Sequence, residues 1–477
     1  MGNHEIKERI VFMIFALILP TVVGMLISLT IKPTLKILET LSLGYIVGLG
    51  FFTFCIFLLN MQHIPVSLVT SLVLLCVLIS TFLLIPKTRQ NFFQICHQII
   101  TSIQSIKKFI RSLSITEKFI LFVFVFLLGT IFLYTSYWPT KDWDAIVLYD
   151  FRAKMFVTKG FMDSSLPESY LYGYPLLTSL AQAWFYLCGS MYPGVIHFFY
   201  YLAFLVLFYS WTRKKTSRMS ALLWTLMCAL SSGLVDHAFM TYTNLAYTVY
   251  LVSGFYYLSK WIADNKNGDL WLSAILIGLS TWTRNSEPFW LVPIGFASIL
   301  LIKRRRWLSL FIFPIIIKVF SYFWNQYYFQ HFQRAQSLAT ETTRIWQIAK
   351  NTTITLWGMV KLTTLPQVFV YFWQNIIYPN WQLYFIFLVA IAMQLYNLRH
   401  KKRDVLALSI LLISISCLFL MFAGVYYFSV KFKEWKNIGG SATRMSLFMG
   451  PMIIYYCSLV TANFFQNHTH KIRKKSK

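Results

Sequence analysis

The chain has 477 residues, of which 57% are hydrophobic and 18% are aromatic. The core of a soluble protein does not hold that share of apolar side chains, so a soluble enzyme with a single anchor is excluded. The net charge of +27 comes from Lys and Arg in short loops between apolar runs. This pattern is typical of a membrane protein and argues against binding to nucleic acid.

Apolar runs of about twenty residues, the length that crosses a bilayer as an α-helix, recur along the whole chain. We therefore predict an all-α multi-pass membrane protein with about thirteen transmembrane helices. The first apolar run, Ile10 to Ile31, is too long for a secretory signal peptide and lacks a small-residue cleavage site. We therefore expect it to be retained as a transmembrane span. The predicted spans are 10–31, 41–60, 65–85, 118–138, 193–211, 219–237, 243–262, 269–286, 288–302, 307–324, 380–397, 404–424 and 445–463.

Basic segments alternate regularly with the predicted spans. If the long segment 87–118 is cytoplasmic, the alternation also brings four further basic segments to the cytoplasmic side. These are 213–218, 303–306, 399–403 and 470–477. An excess of Lys and Arg is typical of cytoplasmic loops. The amino terminus is then outside, although Lys7 and Arg9 count mildly against that orientation.

Three longer segments, 139–192, 325–379 and 425–444, fall on the outer side of this map. All are rich in Trp and Tyr, which favour the membrane–water interface, so we expect interfacial or re-entrant helices there. The middle segment also carries basic residues that suit an anionic acceptor or the membrane surface itself. They are Arg334, Arg344, Lys350 and Lys361.

Cysteines and histidines give no sign of a metal centre. The seven cysteines form no Cys-x-x-Cys pair and lie mostly within apolar runs, where cysteine behaves as a small apolar residue. There is no His-Glu-x-x-His motif, and Asp142 and Asp144 alone are a weak signal for a divalent cation. We therefore predict no cofactor and no required metal.

Three aspartates, Asp142, Asp144 and Asp150, are concentrated in KDWDAIVLYDFRAK, residues 141–154, although the chain has only 16 acidic residues. A carboxylate at the membrane boundary is poorly solvated, which favours uptake of a proton and makes it a candidate base. A structural interpretation is equally open. Asp142 suits an N-cap and Asp144 the first turn of a helix that ends before Gly160, while Asp150 is one turn from Lys154.

The order of motifs around this cluster resembles a known family. WDA (143–145), a following tyrosine, Arg–Ala–Lys (152–154) and YGYPLL (172–177) are similar to the first outer loop of GT-C-type integral-membrane glycosyltransferases. The likeness is strongest to bacterial relatives of protein mannosyltransferases and aminoarabinose transferases. TWTRNSEP (281–288) and GGSATRMSLFMGP (439–451) resemble two later segments of that family. The resemblance covers residues 118–463, a GT-C-like core, and leaves 1–117 as a three-helix extension and 464–477 as a basic tail.

Such enzymes transfer a sugar from a polyprenyl-phosphate donor to an acceptor hydroxyl or amine outside the cytoplasm, with inversion. The resemblance therefore implies a multi-pass protein of the bacterial plasma membrane that acts on a glycan, lipid or protein acceptor. It implies Asp144 as the general base, with Asp142 beside it. For the donor phosphate it favours Arg284 first and Arg444 second, since both stand at predicted outer ends of spans. Either arginine could instead reach lipid headgroups.

Further residues are candidates for the same site. Arg152 and Lys154 are weaker candidates for the phosphate, and Glu287 is placed to pair with Arg284. An aromatic, rigid wall for the sugar or ordinary packing would equally explain Tyr172, Tyr174 and Pro175. His237 beside Asp236 is a candidate second proton carrier. Asn244 stands where the family often carries an aspartate, which puts the role of a second acid in doubt.

Other functions share parts of this pattern. A transporter or flippase for lipid-linked saccharides would also have many spans, but its polar residues usually lie near mid-membrane rather than at the outer ends. A polymerase or ligase of lipid-linked glycans would share the topology and the donor. A relative that binds sugar lipid without turnover is the fourth hypothesis, and Asn244 keeps it open.

Overall fold

A computed structural model of the chain describes residues 3–162, 174–285, 287–331, 364–399, 404–431 and 435–475. Those residues form α-helices joined by short turns and a few π- and 3-10-helical segments, and none of them is in a strand. The all-α prediction is therefore confirmed for the described part of the chain.

The helices are numbered in chain order. The first ten are α1 Asn3–Ile31, α2 Ile37–Met61, α3 Leu68–Leu83, α4 Pro86–Gln104, α5 Ile106–Arg111, α6 Ile115–Tyr137, α7 Phe151–Lys159, α8 Leu177–Leu187, α9 Val195–Arg213 and α10 Arg218–Ala229. The others are α11 Ser232–Phe239, α12 Thr243–Asp264, α13 Asn267–Thr283, α14 Leu291–Lys303, α15 Ile312–His331, α16 Leu365–Phe372, α17 Trp381–Arg399, α18 Val405–Lys431, α19 Gly439–Met445 and α20 Met449–Lys475.

Every predicted span overlaps a helix, but the predicted number of spans is not confirmed. Within the described ranges, 7 helices are long and apolar enough to cross a membrane, or up to 9 if each bent pair is one span. The predicted span 219–237 is broken, because α10 and α11 meet at a bend of 62°. After α3 the chain turns by 104° into α4, which begins at Pro86, a residue suited to the first turn of a new helix.

Two of the predicted spans, 243–262 and 269–286, correspond to α12 and α13, which lie inside the bundle. Their Ser, Thr and Tyr side chains are buried against other helices rather than lipid. On α12, Tyr256 stacks on Trp211 of α9 with ring centroids 4.0 Å apart. Because neighbouring helices shield these two from lipid, they need not be as apolar as lipid-facing spans.

Close helix contacts in the amino-terminal part depend on small residues. A Cβ atom added at Gly48 of α2 would lie 1.8 Å from the backbone oxygen of Pro20 on α1. A Cβ at Gly24 of α1 would lie 2.0 Å from the backbone oxygen of Gly44 on α2. Only glycine permits this approach of two backbones, as at many interfaces between membrane helices.

Contacts of charged side chains show which loops share an end of the bundle. Lys32, after α1, forms a buried ion pair with Asp269 at the start of α13. Arg218 binds Glu117 at 2.6 Å, and Arg304 donates to the Asn265 side chain at 2.7 Å. Lys214 and Lys215 line one pocket with Asp264, the neighbour of Asn265 at the end of α12, so the basic segments 213–218 and 303–306 lie at one end together with the start of α6. The acidic segment 141–154 follows the far end of α6, so it lies at the opposite end.

Helices are present in the described parts of all three predicted outer segments. They are α7 and α8 in the first, α16 in the second and α19 in the third. Their position at a membrane interface stays a prediction, as does the orientation of the amino terminus. Arg334, Arg344, Lys350 and Lys361 lie outside the described residues.

Candidate functional site

The acidic segment connects α6 to α7 through a short π-helical stretch. The α6 helix ends at Tyr137, and the Asp142 backbone oxygen accepts a hydrogen bond from the Ile146 backbone N–H at 3.0 Å, which starts the next helical turn. Residues Ala145–Asp150 are π-helical and lead directly into α7, which ends at Gly160 with a positive φ of 74°. The predicted helix is therefore confirmed, and Asp142 and Asp144 stand at its start. π-Helical turns are often found at functional sites.

Exposed aromatic rings surround this connection. Tyr137 and Trp143 are 71% and 76% exposed, and Trp138 packs edge-on against Tyr137 with centroids 5.0 Å apart. The Trp138 ring also stacks on Tyr134. Exposed Tyr and Trp rings at the end of an apolar helix are typical of the membrane–water interface. This arrangement supports an interfacial position for the neighbouring Asp144.

A narrow polar cleft with a free volume of about 50 Å³ opens at this end of the bundle. Its walls come from segments far apart in the sequence: the π-helical turn, the loop before α8, the start of α12, the end of α13, and α19. The lining residues are Asp144, Tyr149, Tyr174, Tyr242, Asn244, Arg284 and Arg444. The cleft has room for a small anionic group rather than for a complete sugar.

Asp144 and Arg444 form an ion pair across the cleft. Nη1 of Arg444 donates to Oδ2 of Asp144 at 3.1 Å. The side chains are 42% and 34% exposed, respectively, so both remain in contact with solvent. The Arg444 guanidinium also lies over the Tyr242 ring, 5.5 Å from its centroid. Burial raises the pKa of Tyr242, and the charge of Asp144 raises it further.

Arg284 is held much more tightly, at the back of the cleft. Its Nε donates to Oε1 of Glu287 at 2.6 Å, and Nη1 donates to Oδ1 of Asn244 at 3.1 Å. Nη2 donates to the Tyr174 hydroxyl at 3.0 Å, and the guanidinium lies 4.5 Å from the centroid of that ring. The pair with Glu287 predicted from the sequence is therefore present, and the Glu287 side chain is only 2% exposed.

Arg152 supports the wall of the cleft from behind. It is fully buried, and its Nη1 donates to the Tyr174 backbone oxygen at 3.1 Å. Burial lowers the pKa of Arg152 to about 10. Pro175 is buried directly after Tyr174. Arg152 does not line the cleft, so this geometry gives it a supporting contact rather than access to a phosphate.

Tyr149 closes the remaining side of the cleft. Its hydroxyl lies 3.2 Å from Oγ1 of Thr243, and burial raises its pKa to about 12. Thr243 is in turn within 3.4 Å of Nη1 of Arg284. The hydroxyls of Tyr149 and Thr243 are therefore part of the same hydrogen-bonded wall as the arginine.

Several predicted site residues do not line the cleft. Lys154 pairs with Asp150 at 2.7 Å, as the alternative interpretation of the spacing suggested. Asp236 is exposed, whereas His237 is buried and its Nδ1 lies 2.9 Å from the Gly233 backbone oxygen. Asp142 precedes the helical turn and is not among the residues that line the cleft. Tyr172 lies outside the described residues.

Tyr149, Tyr242 and Thr243 are the contributors that the sequence interpretation missed. Tyr242 and Thr243 directly precede Asn244 in the sequence. Their position beside this candidate residue, at the start of α12, is the signal that would have found these two residues.

Among the described residues, no three His, Cys, Asp or Glu side chains gather in a way that would hold a metal ion. The absence of a metal requirement stays a prediction. Comparison of the chain with protein-family models, with curated proteins and with solved structures gives no match. The motifs quoted above and the geometry of the cleft therefore carry the functional argument.

Proposed function

We propose that this membrane protein is an inverting glycosyltransferase. It takes a sugar from a polyprenyl-phosphate donor and transfers it to a glycan, lipid or protein acceptor on the extracytoplasmic side of a bacterial plasma membrane. Asp144 is the general base, and Arg444 holds the donor phosphate with Arg284 behind it.

The convergence of one carboxylate and two guanidinium groups on a single cleft carries the proposal. Asp144, Arg284 and Arg444 belong to three separate segments, and each of those segments contains one of the motifs that resemble the GT-C family. Each motif contributes a charged residue to the lining. This is the set of groups that a sugar transfer from a phosphate donor requires.

The exposure of the two side chains, 34% for Arg444 and 11% for Arg284, favours Arg444 as the direct phosphate ligand. Arg284 already donates to Glu287, Asn244 and Tyr174. Arg444 uses Nη1 for Asp144 and remains partly exposed at the cleft. Guanidinium binds phosphate oxygens in a bidentate manner, which suits Arg444 at the mouth of the cleft.

In the proposed reaction, the acceptor hydroxyl or amine attacks the anomeric carbon from the face opposite the phosphate. The nucleophile's lone pair forms the new glycosidic bond, and the electrons of the broken carbon–oxygen bond leave with the polyprenyl phosphate. Asp144 takes the proton that the nucleophile releases. The arginines stabilise the charge that develops on the leaving phosphate. The proton goes to Asp144 and the bonding electrons go to the leaving phosphate, so the reaction needs no second acid.

The exposed aromatic rings near Asp144 support this location for the reaction. A polyprenyl chain remains in the bilayer while its phosphate and sugar lie at the surface, so the site must be at the interface. Tyr137, Trp138 and Trp143 provide such a boundary beside the cleft. The opposite end carries the basic segments, which favours the extracytoplasmic side for the cleft.

The test is sugar transfer by purified protein in liposomes supplied with a panel of polyprenyl-phosphate sugars and a membrane-extract acceptor. We expect transfer by the wild type and a loss of at least about 100-fold in Asp144→Asn. Asp264→Asn, which changes an exposed carboxylate at the opposite end of the bundle, is the control. Unchanged transfer in Asp144→Asn would show that Asp144 is not the general base. Movement of intact donor across the bilayer without sugar transfer would favour a flippase.

A further inference from the structure

The connection between α3 and α6 runs across the direction of the helix before it. The chain turns by 104° between α3 and α4, so α4 is nearly perpendicular to the predicted span that contains α3. Only Ser105 separates α4 from α5, and the two helices together lead to the start of α6. A helix that is perpendicular to a span is oriented to lie in the plane of the membrane surface.

This connection is attached to the basic end of the bundle at two places. Near its start, the Thr88 hydroxyl lies 2.9 Å from the Thr30 hydroxyl, at the end of α1. Directly after α5, the Ser112 backbone oxygen accepts a hydrogen bond from Nη2 of Arg218 at 3.0 Å. Residues 101–112 are nevertheless all exposed. The two attachments therefore fix the position of the connection and leave much of its surface open.

The open surface includes a row of isoleucines. Ile100, Ile103, Ile106 and Ile110 follow one another at intervals of three or four residues, which is the spacing of one helix face. Each of the four side chains is at least 50% exposed. Water solvates such a face poorly, so it needs an apolar environment to cover it.

The charge of the connection indicates which environment covers this face. Residues 86–116 contain five Lys or Arg side chains and no Asp or Glu. Three of the basic side chains, Lys107, Lys108 and Arg111, are exposed beside the last isoleucines. This charge complements anionic phospholipids. A second copy of the chain would bring the same positive charges together, which disfavours self-association through this face.

We infer that α4 and α5 form an interfacial helix that binds the anionic phospholipids of the leaflet at the basic end of the bundle. The isoleucine face enters the boundary between headgroups and acyl chains, and Lys107, Lys108 and Arg111 bind lipid phosphates. Each Lys or Arg near an anionic surface contributes about fivefold to affinity, which corresponds to about 1 kcal/mol. The cleft lies at the opposite end, so this contact does not depend on the proposed sugar transfer.

The experiment is photocrosslinking of the full-length protein in nanodiscs that contain equal amounts of phosphatidylcholine and phosphatidylglycerol. The photoreactive residue p-benzoylphenylalanine replaces Ile103, on the isoleucine face, or Thr101. Both positions are exposed, but two residues of a helix correspond to about 200°, so Thr101 points nearly the opposite way. We expect lipid adducts at position 103, with phosphatidylglycerol preferred by at least about fivefold, and a near-complete loss of adducts at position 101.

The role of the charges is tested with the photoreactive residue kept at position 103. Combining Lys107→Gln, Lys108→Gln and Arg111→Gln should abolish the preference for phosphatidylglycerol while adducts to phosphatidylcholine remain. The matched control removes three other exposed lysines near the same end of the bundle and should keep the preference. It combines Lys215→Gln, Lys266→Gln and Lys303→Gln.

Four results would overturn the inference. Equal lipid adducts at positions 101 and 103 would show that the isoleucine face is not inserted. Adducts between protein chains at position 103 would show that a protein covers this face instead. An unchanged preference for phosphatidylglycerol after neutralisation of the three basic residues, or an equal loss in the control, would show that these charges do not select the lipid.

Discussion

The amide of Asn244 joins the two arginine segments of the cleft. Its Oδ1 accepts a hydrogen bond from Nη1 of Arg284 at 3.1 Å, while its Nδ2 donates to the backbone oxygen of Arg444 at 3.3 Å. A carboxylate at this position would accept from Arg284 but would have no hydrogen for the Arg444 carbonyl. The asparagine therefore has a positioning role that an aspartate cannot fill.

Replacing Asn244 by Asp should accordingly impair the site. A carboxylate oxygen would face the backbone oxygen of Arg444, and the repulsion would displace α19 and its arginine from the cleft. We expect Asn244→Asp to weaken binding of polyprenyl phosphate by about tenfold, which corresponds to the loss of a hydrogen bond and an unfavourable contact. Binding to protein in nanodiscs and transfer rates measure this effect.

Asn463→Ala is the matched control for this substitution. Asn463 donates to Oδ2 of Asp404 at 2.6 Å, at the opposite end of the bundle, so its loss should affect stability without changing phosphate binding. If Asn244→Asp bound the phosphate as well as wild type, the positioning role of Asn244 would be wrong. Higher transfer in Asn244→Asp would instead point to an acid function at this position.

The buried pair of Arg284 and Glu287 should be important for stability. Glu287→Gln keeps an oxygen that can accept from Nε of Arg284 but removes the charge that compensates the buried guanidinium. Loss of one partner of a buried ion pair costs about 3–5 kcal/mol. We therefore expect Glu287→Gln to lower the midpoint of thermal unfolding by several degrees, measured in nanodiscs.

Asp150→Asn provides a comparison with a more exposed pair. Asp150 pairs with Lys154, whose side chain is 60% exposed, and the amide oxygen of Asn would still accept from the Tyr186 hydroxyl. Exposed ion pairs contribute about 0–1 kcal/mol, so the expected shift is much smaller. Equal shifts of the unfolding midpoint in Glu287→Gln and Asp150→Asn would show that burial does not make the first ion pair more important for stability than the second.

Local patterns in the sequence predicted local structure well. The pairs Arg284–Glu287 and Asp150–Lys154 follow from a spacing of three or four residues, which fixes neighbours within one turn. The helices also follow from the length of apolar runs. Hydropathy does not distinguish helices that are shielded from lipid, so it predicts α12 and α13 as spans in the same way as lipid-facing helices.

Contacts between distant segments could not be predicted in the same way. The pair of Asp144 with Arg444 and the bridge through Asn244 depend on how helices pack, and spacing along one helix carries no information about that. Motifs placed Asp144, Arg284 and Arg444 at outer ends separately. Only the packed structure brings their side chains to one cleft, and it also shows that Arg284 is already occupied by partners.

The two ends of the bundle should be accessible from opposite sides of the membrane. Lys141→Cys, beside the cleft, should react with a membrane-impermeant maleimide added outside intact cells. Lys215→Cys, at the basic end, should react only after the membrane is opened. Lys141 and Lys215 are both exposed, so a difference in labelling between the two variants would not result from burial of one of them. Gel-shift labelling with a bulky maleimide measures the outcome.

The parent chain is the control for this labelling, because its seven cysteines are free thiols and include the exposed Cys76. Cys76 lies within α3, where lipid should shield it from a charged reagent. Labelling of Lys141→Cys only in opened membranes would place the cleft on the cytoplasmic side. That result would contradict the proposed extracytoplasmic reaction.

Gly160 should be essential for the connection between α7 and the end of α2. Its φ is 74°, which disfavours side chains, and its backbone oxygen accepts from Nδ2 of Asn60 and from the Val66 backbone N–H, both at 2.9 Å. A Cβ atom there would lie 2.7 Å from Cβ of Pro65, so Gly160→Ala would introduce both backbone strain and a steric clash.

Gly189 is the control, because it has a similar φ of 83° but open space around its Cβ position. Gly189→Ala would therefore introduce backbone strain alone. Backbone strain of this kind costs about 1–3 kcal/mol of folding free energy. We expect Gly160→Ala to lower the unfolding midpoint more than Gly189→Ala does. Equal unfolding midpoints for the two variants would mean that the Pro65 contact relaxes and that this junction does not fix the end of α7.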